Sequence, residues 1–151
     1  MVFFLLKTSY REKVMDFRIG HVAYQTKDMK ATLSFYTDIL NFRHAFSIKD
    51  KDDQPWIEYI MTPDGRFIEL FYPKSEETPE LGRSYLHLCL EVDDCAAAVQ
   101  ELESKGIEIV TKMKHGRDGN LQAWIKDPDG RRIEIMQLVE SSAQYQNRKH
   151  L

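Results

Sequence analysis

The chain repeats itself. The octet Pro63-Asp64-Gly65-Arg66-Phe67-Ile68-Glu69-Leu70 returns as Pro128-Asp129-Gly130-Arg131-Arg132-Ile133-Glu134-Ile135, 65 residues later. Ile19-Gly20-His21-Val22 and Tyr85-Leu86-His87-Leu88 match at an offset of 66. His21 precedes Glu69 by 48 residues, and His87 precedes Glu134 by 47. Landmarks that keep step to within one residue define a duplicated unit, which must fold twice in the same way. The length of 151 residues suits two such modules packed as one domain.

Each copy reads as strand, helix and three strands. The first strands are Arg18 to Gln25 and Tyr85 to Val92. Asp28 is placed to cap a helix over Met29 to Leu40, because its carboxylate can accept the free N–H groups of the first turn. Met29, Leu33, Tyr36 and Leu40 give that helix one apolar stripe. Asn41 can end it in a left-handed conformation. Asp93 or Asp94 caps the second helix, and Gly106 ends it. The remaining strands are expected at Arg43–Ile48, Trp56–Thr62 and Phe67–Tyr72, then Ile107–Met113, Leu121–Lys126 and Arg132–Leu138. The Pro-Asp-Gly triplets supply turn chemistry, since Pro presets φ and Gly accepts a positive one. The expected class is α+β, with two βαβββ modules over residues 15–74 and 85–140. Residues 75–84 form the linker, residues 1–14 an extension outside the core, and 141–151 a flexible tail.

Alternation along the strands sorts the side chains by face. Leu86, Leu88, Leu90 and Val92 share one face with the helices, as do Ile133 and Ile135 on the last strand. Ile68 and Leu70 back Glu69 in the same way. His21, Glu69, His87 and Glu134 therefore fall on the sheet face turned away from the helices. Imidazole and carboxylate together suit Zn, Ni, Co, Mn or Fe and not a thiolate-selective site. Two carboxylates in one cleft repel, and a dication between them removes that cost. Two His and two Glu leave room for water or substrate, as catalytic sites do.

Other residues are weighed against this quartet. Cys89 shares the face of His87 and reads as pocket wall before soft ligand. His44, His115 and His150 have no counterpart in the other copy and read as non-ligands. Trp56 and Trp124 lie at similar places in the repeats, as core or as pocket lining. The loop His115 to Asn120 is either a substrate-contacting loop or a plain hairpin. Arg83 and Arg132 are solvated surface charge or anion anchors. The net charge of −3 and the lack of a basic run offer nothing to nucleic acid or a membrane surface. Cys89 and Cys95 lack a CxxC spacing, so free thiols and a cytoplasmic location are expected.

These phrases resemble the vicinal oxygen chelate (glyoxalase/bleomycin resistance/dioxygenase) superfamily, and within it glyoxalase I, the lactoylglutathione lyases. The resemblance runs from about Phe17 to Leu138. It rests on Gly20-His21-Val22-Ala23-Tyr24, Phe35-Tyr36-Thr37-Asp38-Ile39-Leu40, Phe67-Ile68-Glu69-Leu70, Leu86-His87-Leu88, and Lys126-Asp127-Pro128-Asp129-Gly130 followed by Ile133-Glu134. It implies a cupped mixed sheet around one divalent metal, Ni or Co ahead of Zn. His21, Glu69, His87 and Glu134 fall on the family's four ligand positions. Glu134, with Glu69 as partner, becomes the proton-shuttling carboxylate. The implied substrate is a small α-ketoaldehyde–thiol adduct, with a glutathione-type thiol, isomerised through an enediolate. A homodimer is expected, with each cup built from one chain or from two swapped ones. An epimerase, a thiol transferase or a non-catalytic drug- or metabolite-binding protein are the other readings. Extradiol dioxygenases use two His and one Glu, and metal-free binders lack the set, so a full quartet disfavours both.

Overall fold

A computed structural model describes residues 19–73 and 85–148. The expected extension, the strand start at Arg18, the linker, Arg83 and His150 lie outside the described residues.

The first module contains β1 (His21–Gln25), α1 (Met29–Ser34), β2 (Arg43–Lys49), β3 (Pro55–Met61) and β4 (Phe67–Phe71). The second contains β5 (Leu88–Glu91), α2 (Cys95–Ser104), β6 (Thr111–His115), β7 (Leu121–Lys126) and β8 (Arg132–Gln137). Each forms a four-stranded mixed sheet, in the orders β1-β4-β3-β2 and β5-β8-β7-β6. The first strand runs parallel to the last, and the other pairings are antiparallel. The duplication in sequence is thus a duplication in topology, and the α+β arrangement of two βαβββ modules is the observed one.

The caps fall where hydrogen-bond accounting requires them. Asp28 accepts from Ala31 N at 3.0 Å, and Asp94, not Asp93, accepts from Ala97 N at 2.9 Å. Asn41 has φ 57° and Gly106 φ 79°, both left-handed. The expected helix to Leu40 changes character midway. After Ser34 it continues as a π-turn, Phe35–Ile39, with Leu40 N donating to Phe35 O. Thr37 Oγ1 donates back to Leu33 O at 2.9 Å, the kind of side-chain bond that bends a helix.

The two Pro-Asp-Gly hairpins close in the same register. Met61 pairs with Phe67 around the first, and Lys126 with Arg132 around the second. Buried apolar side chains, among them Tyr36, Ile60, Ile68, Leu70, Ala123, Ile125, Ile133 and Ile135, form one cluster drawn from both modules. Leu88, Leu90 and Val92 pack against it as their alternation predicts, whereas Leu86 is exposed. Residues 107–109 precede β6 as non-strand chain, so that strand begins four residues later than expected. The tail, expected to be flexible, contains a third helix, α3 (Ala143–Arg148). Arg148 pairs with Glu91 through two hydrogen bonds of 2.9 and 2.8 Å. No helix among the described residues is long and apolar enough to cross a membrane.

The modules are joined by a polar clasp. Arg131 is buried and bonds to Asp127 at 3.0 Å and Asp129 at 2.8 Å. Its guanidinium also donates to Gln25 O of the first module and lies over the Tyr24 ring, 4.9 Å from the centroid. Lys27 N donates to Asp129 across the same junction.

Candidate functional site

Strand register places the quartet. Glu69 on β4 stands opposite Ala23 of β1, and Glu134 on β8 opposite Cys89 of β5. His21 and His87, each two residues earlier, reach diagonally. His21 Nε2 lies 3.3 Å from Glu69 Oε1, and His87 Nε2 lies 3.2 Å from Glu134 Oε2. Both carboxylates are nearly buried, at 9% side-chain exposure, while His21 and His87 are open at 52% and 36%. The structure therefore gives two equivalent His–Glu pairs, one per module. Among the described residues no three His, Cys, Asp or Glu side chains converge as a metal site. Within one chain the quartet is two separate His–Glu pairs.

The donor chemistry of each half-site fits a divalent ion. Ligands about 2.1 Å from a metal stand about 3.0 Å apart at an octahedral edge and about 3.4 Å at a tetrahedral one. The two His–Glu separations fall in that range.

The surroundings of the halves differ. In the first, Tyr59 stands opposite Glu69, and its O–H donates to Glu69 Oε1 at 2.5 Å. That bond, with burial and the carboxylate's charge, raises the Tyr59 phenol above its ordinary range. Phe46 stacks on Tyr59 at 4.3 Å, and Phe67 meets it edge-on at 6.1 Å. In the second, Trp124 stands opposite Glu134 and presents its ring to His87 at 4.9 Å, 82° between planes. Arg132 lies over Trp124 at 4.2 Å. Desolvation, then the charge of Glu134, pushes the Cys89 thiol up to about 12, so Cys89 stands beside Glu134 as a protonated thiol. Both cysteines are free.

Register corrects one sequence expectation. Tyr59, not Trp56, is the counterpart of Trp124; Trp56 is half exposed, with its ring edge-on to Phe71. Tyr59 is the site residue that sequence reasoning missed. Its signal was present, because the hairpin turn centred on Asp64 sets Tyr59 opposite Glu69.

The remaining candidates go elsewhere. His44 joins Ser47 and Tyr72 around Glu58, at 2.7, 2.5 and 3.0 Å, on the sheet face shared with Leu70. The His115–Asn120 loop is a hairpin tied to the tail. Buried Asn120 donates to Asp118 and Gln144 and accepts from Val139 N. A groove of about 870 Å³ runs between the modules beside β1 and β5, lined by Val22, Phe42, Leu88 and Leu90. Of the quartet it reaches His21 alone.

The glyoxalase/bleomycin resistance protein/dioxygenase superfamily model matches residues 18–135, and the chain belongs to that superfamily. Among curated relatives it is similar to a probable lactoylglutathione lyase of Vibrio parahaemolyticus, 26% identical over 83% of this chain and 94% of that one. It is also similar to the lactoylglutathione lyase of Neisseria meningitidis, 28% identical over 80% of this chain and 90% of that one. Among solved structures it resembles a virulence protein from Salmonella typhimurium, with TM-score 0.61 and 26% identity over 83% of this chain and all of the other. Glyoxalase I from Zea mays shares the fold, with TM-score 0.69 and 22% identity over 81% of this chain and 45% of that chain.

Proposed function

We propose that this protein is a metal-dependent lyase of the glyoxalase I type. It isomerises the adduct of a small α-ketoaldehyde with a glutathione-type thiol to an α-hydroxyacyl thioester. The observation that carries this reading is the pair of equivalent His–Glu half-sites, spaced as ligands of one ion would be. The lactoylglutathione lyase names of its relatives point the same way. His21, Glu69, His87 and Glu134 hold the ion, Ni or Co ahead of Zn. Among the described residues the two pairs do not converge in one cluster, so in this reading the cup is completed between two copies, His21 and Glu69 of one facing His87 and Glu134 of the other. Free thiols fit a reducing, cytoplasmic setting.

When bound, the ion would supply Lewis acidity to the substrate. The chain's own groups move the proton. Glu134 takes it from the carbon bearing sulfur and returns it to the adjacent carbonyl carbon. The hydroxyl proton passes between the two oxygens, so the product is an isomer of the adduct. Glu134 is buried, as is Met136 two residues on, and Trp124 packs on His87 beside it. Arg132 over Trp124 offers the cup's rim a cation for an anionic thiol.

The test is metal content of purified protein followed by turnover of the methylglyoxal–glutathione hemithioacetal. Glu134→Gln is expected to keep the metal and lose turnover by about a hundredfold or more, the range for a general base. Metal-loaded wild type that isomerises no ketoaldehyde adduct, yet binds an unrelated apolar ligand tightly, returns the protein to the binding class. Metal binding that survives both His21→Ala and His87→Ala would falsify the ligand assignment.

A further inference from the structure

The two glutamates of the cup occupy equivalent positions, yet their partners are not equivalent. Glu69 Oε1 accepts the Tyr59 O–H at 2.5 Å and is the same oxygen that faces His21. An O–H bond to a carboxylate is among the stronger hydrogen bonds in proteins. The tyrosine ring that delivers it is clamped between Phe46 and Phe67. Among the described residues Glu134 has no such hydroxyl donor. The residue across from it is Trp124, whose indole N–H turns to Gln122 Oε1 at 3.4 Å. Its neighbours are His87 and the Cys89 thiol, a weak donor.

We propose that Tyr59 is a positioning residue that makes the two carboxylates unequal. It anchors Glu69 as the fixed ligand and leaves Glu134 free to turn from ion to substrate. This rests on the metal reading above, in which Glu134 is already the proton-moving carboxylate, and names within it the residue that holds Glu69 in place. A hydrogen bond to a ligand oxygen fixes the ligand's orientation and raises metal affinity, typically by 10- to 100-fold. Glu134, whose partners among the described residues are His87 and a thiol, lacks that hydroxyl anchor and can rotate about its side-chain bonds at lower cost.

Cobalt titration of the full chain, followed by visible absorbance, tests this without reference to activity. Tyr59→Phe keeps the ring and removes one oxygen. It is expected to weaken cobalt binding by about tenfold or more, with unfolding temperature near that of wild type. Tyr72→Phe removes the same atom from Glu58 on the other sheet face, and is expected to leave cobalt affinity unchanged. Glu69→Gln should lose cobalt far more than Glu134→Gln. Equal cobalt affinity in wild type and Tyr59→Phe overturns the proposal and leaves the metal reading standing. Equal losses in the two glutamine variants overturn it as well. Wild type that takes up no cobalt overturns the metal reading and the role of Tyr59 with it.

Discussion

Arg66 and Arg131 occupy the same position after the two Pro-Asp-Gly turns, and their surroundings separate them. Arg131 has 5% side-chain exposure, and its partner Asp127 has none. Removing one member of a buried pair leaves the other charge without compensation, which costs about 3–5 kcal/mol. Arg131→Ala is therefore expected to lower the unfolding free energy by about 3 kcal/mol in urea titration. Arg66 is exposed and reaches a backbone carbonyl, Ile19 O, with the exposed Asp64 nearby. Arg66→Ala should stay within about 0.5 kcal/mol of wild type. A second prediction concerns Glu58. Burial alone would raise its carboxyl, but hydrogen bonds from Ser47, His44 and Tyr72 together bring it below the ordinary value. A depressed carboxyl stabilises the fold above its unfolded pKa, near 4.3, and the contribution fades as pH falls through the depressed value. Glu58→Gln is expected to be less stable than wild type at pH 7. That gap should close progressively below about pH 4 in denaturation measured across pH. A gap that stays constant to pH 3 would show that the cluster contributes nothing through ionisation.

At the scale of elements, most of the fold was legible because local chemistry and the repeat agreed. Asp28, Asn41 and Gly106 marked helix ends, and the helices end there. β7, Leu121–Lys126, begins and ends at the residues expected. What was hidden depended on competition between hydrogen bonds. Nothing in the apolar stripe of α1 announces that Thr37 will bond back to Leu33 and shift the turn to π. The loop at Asn120 could be read two ways, because its partner Gln144 lies in a segment too polar to advertise packing. The four ligand candidates were legible singly and as faces. Their separation into two His–Glu pairs within a chain stayed open, since face alternation says nothing of how two sheets are set against each other. The hairpins give an element-scale prediction. Gly65 and Gly130 have φ 81° and 84°, and a Cβ at either meets no atom within 4 Å. Only backbone strain should act, so Gly65→Ala and Gly130→Ala are each expected to cost about 1 kcal/mol. Thermal unfolding showing one variant near neutral would mean that the turns are less alike than their register.

At the scale of the molecule, half-sites on separate sheets make complementation the decisive experiment. A chain carrying His21→Ala and Glu69→Ala should bind no metal tightly, and neither should one carrying His87→Ala and Glu134→Ala. If each cup joins two copies, refolding the two together restores one intact quartet per mixed dimer. Random pairing then recovers about a quarter of the wild-type sites. If both halves of a cup came from one chain, the mixture would recover none. The uneven surroundings of the halves also give this protein an optical reporter of its own. Trp124 touches His87, and the other tryptophan, Trp56, is 42% exposed and belongs to the other sheet. In Trp56→Phe protein the remaining emission arises beside one half of the cup. A paramagnetic ion arriving there will darken it, and the fading of that single indole will count ions entering the site.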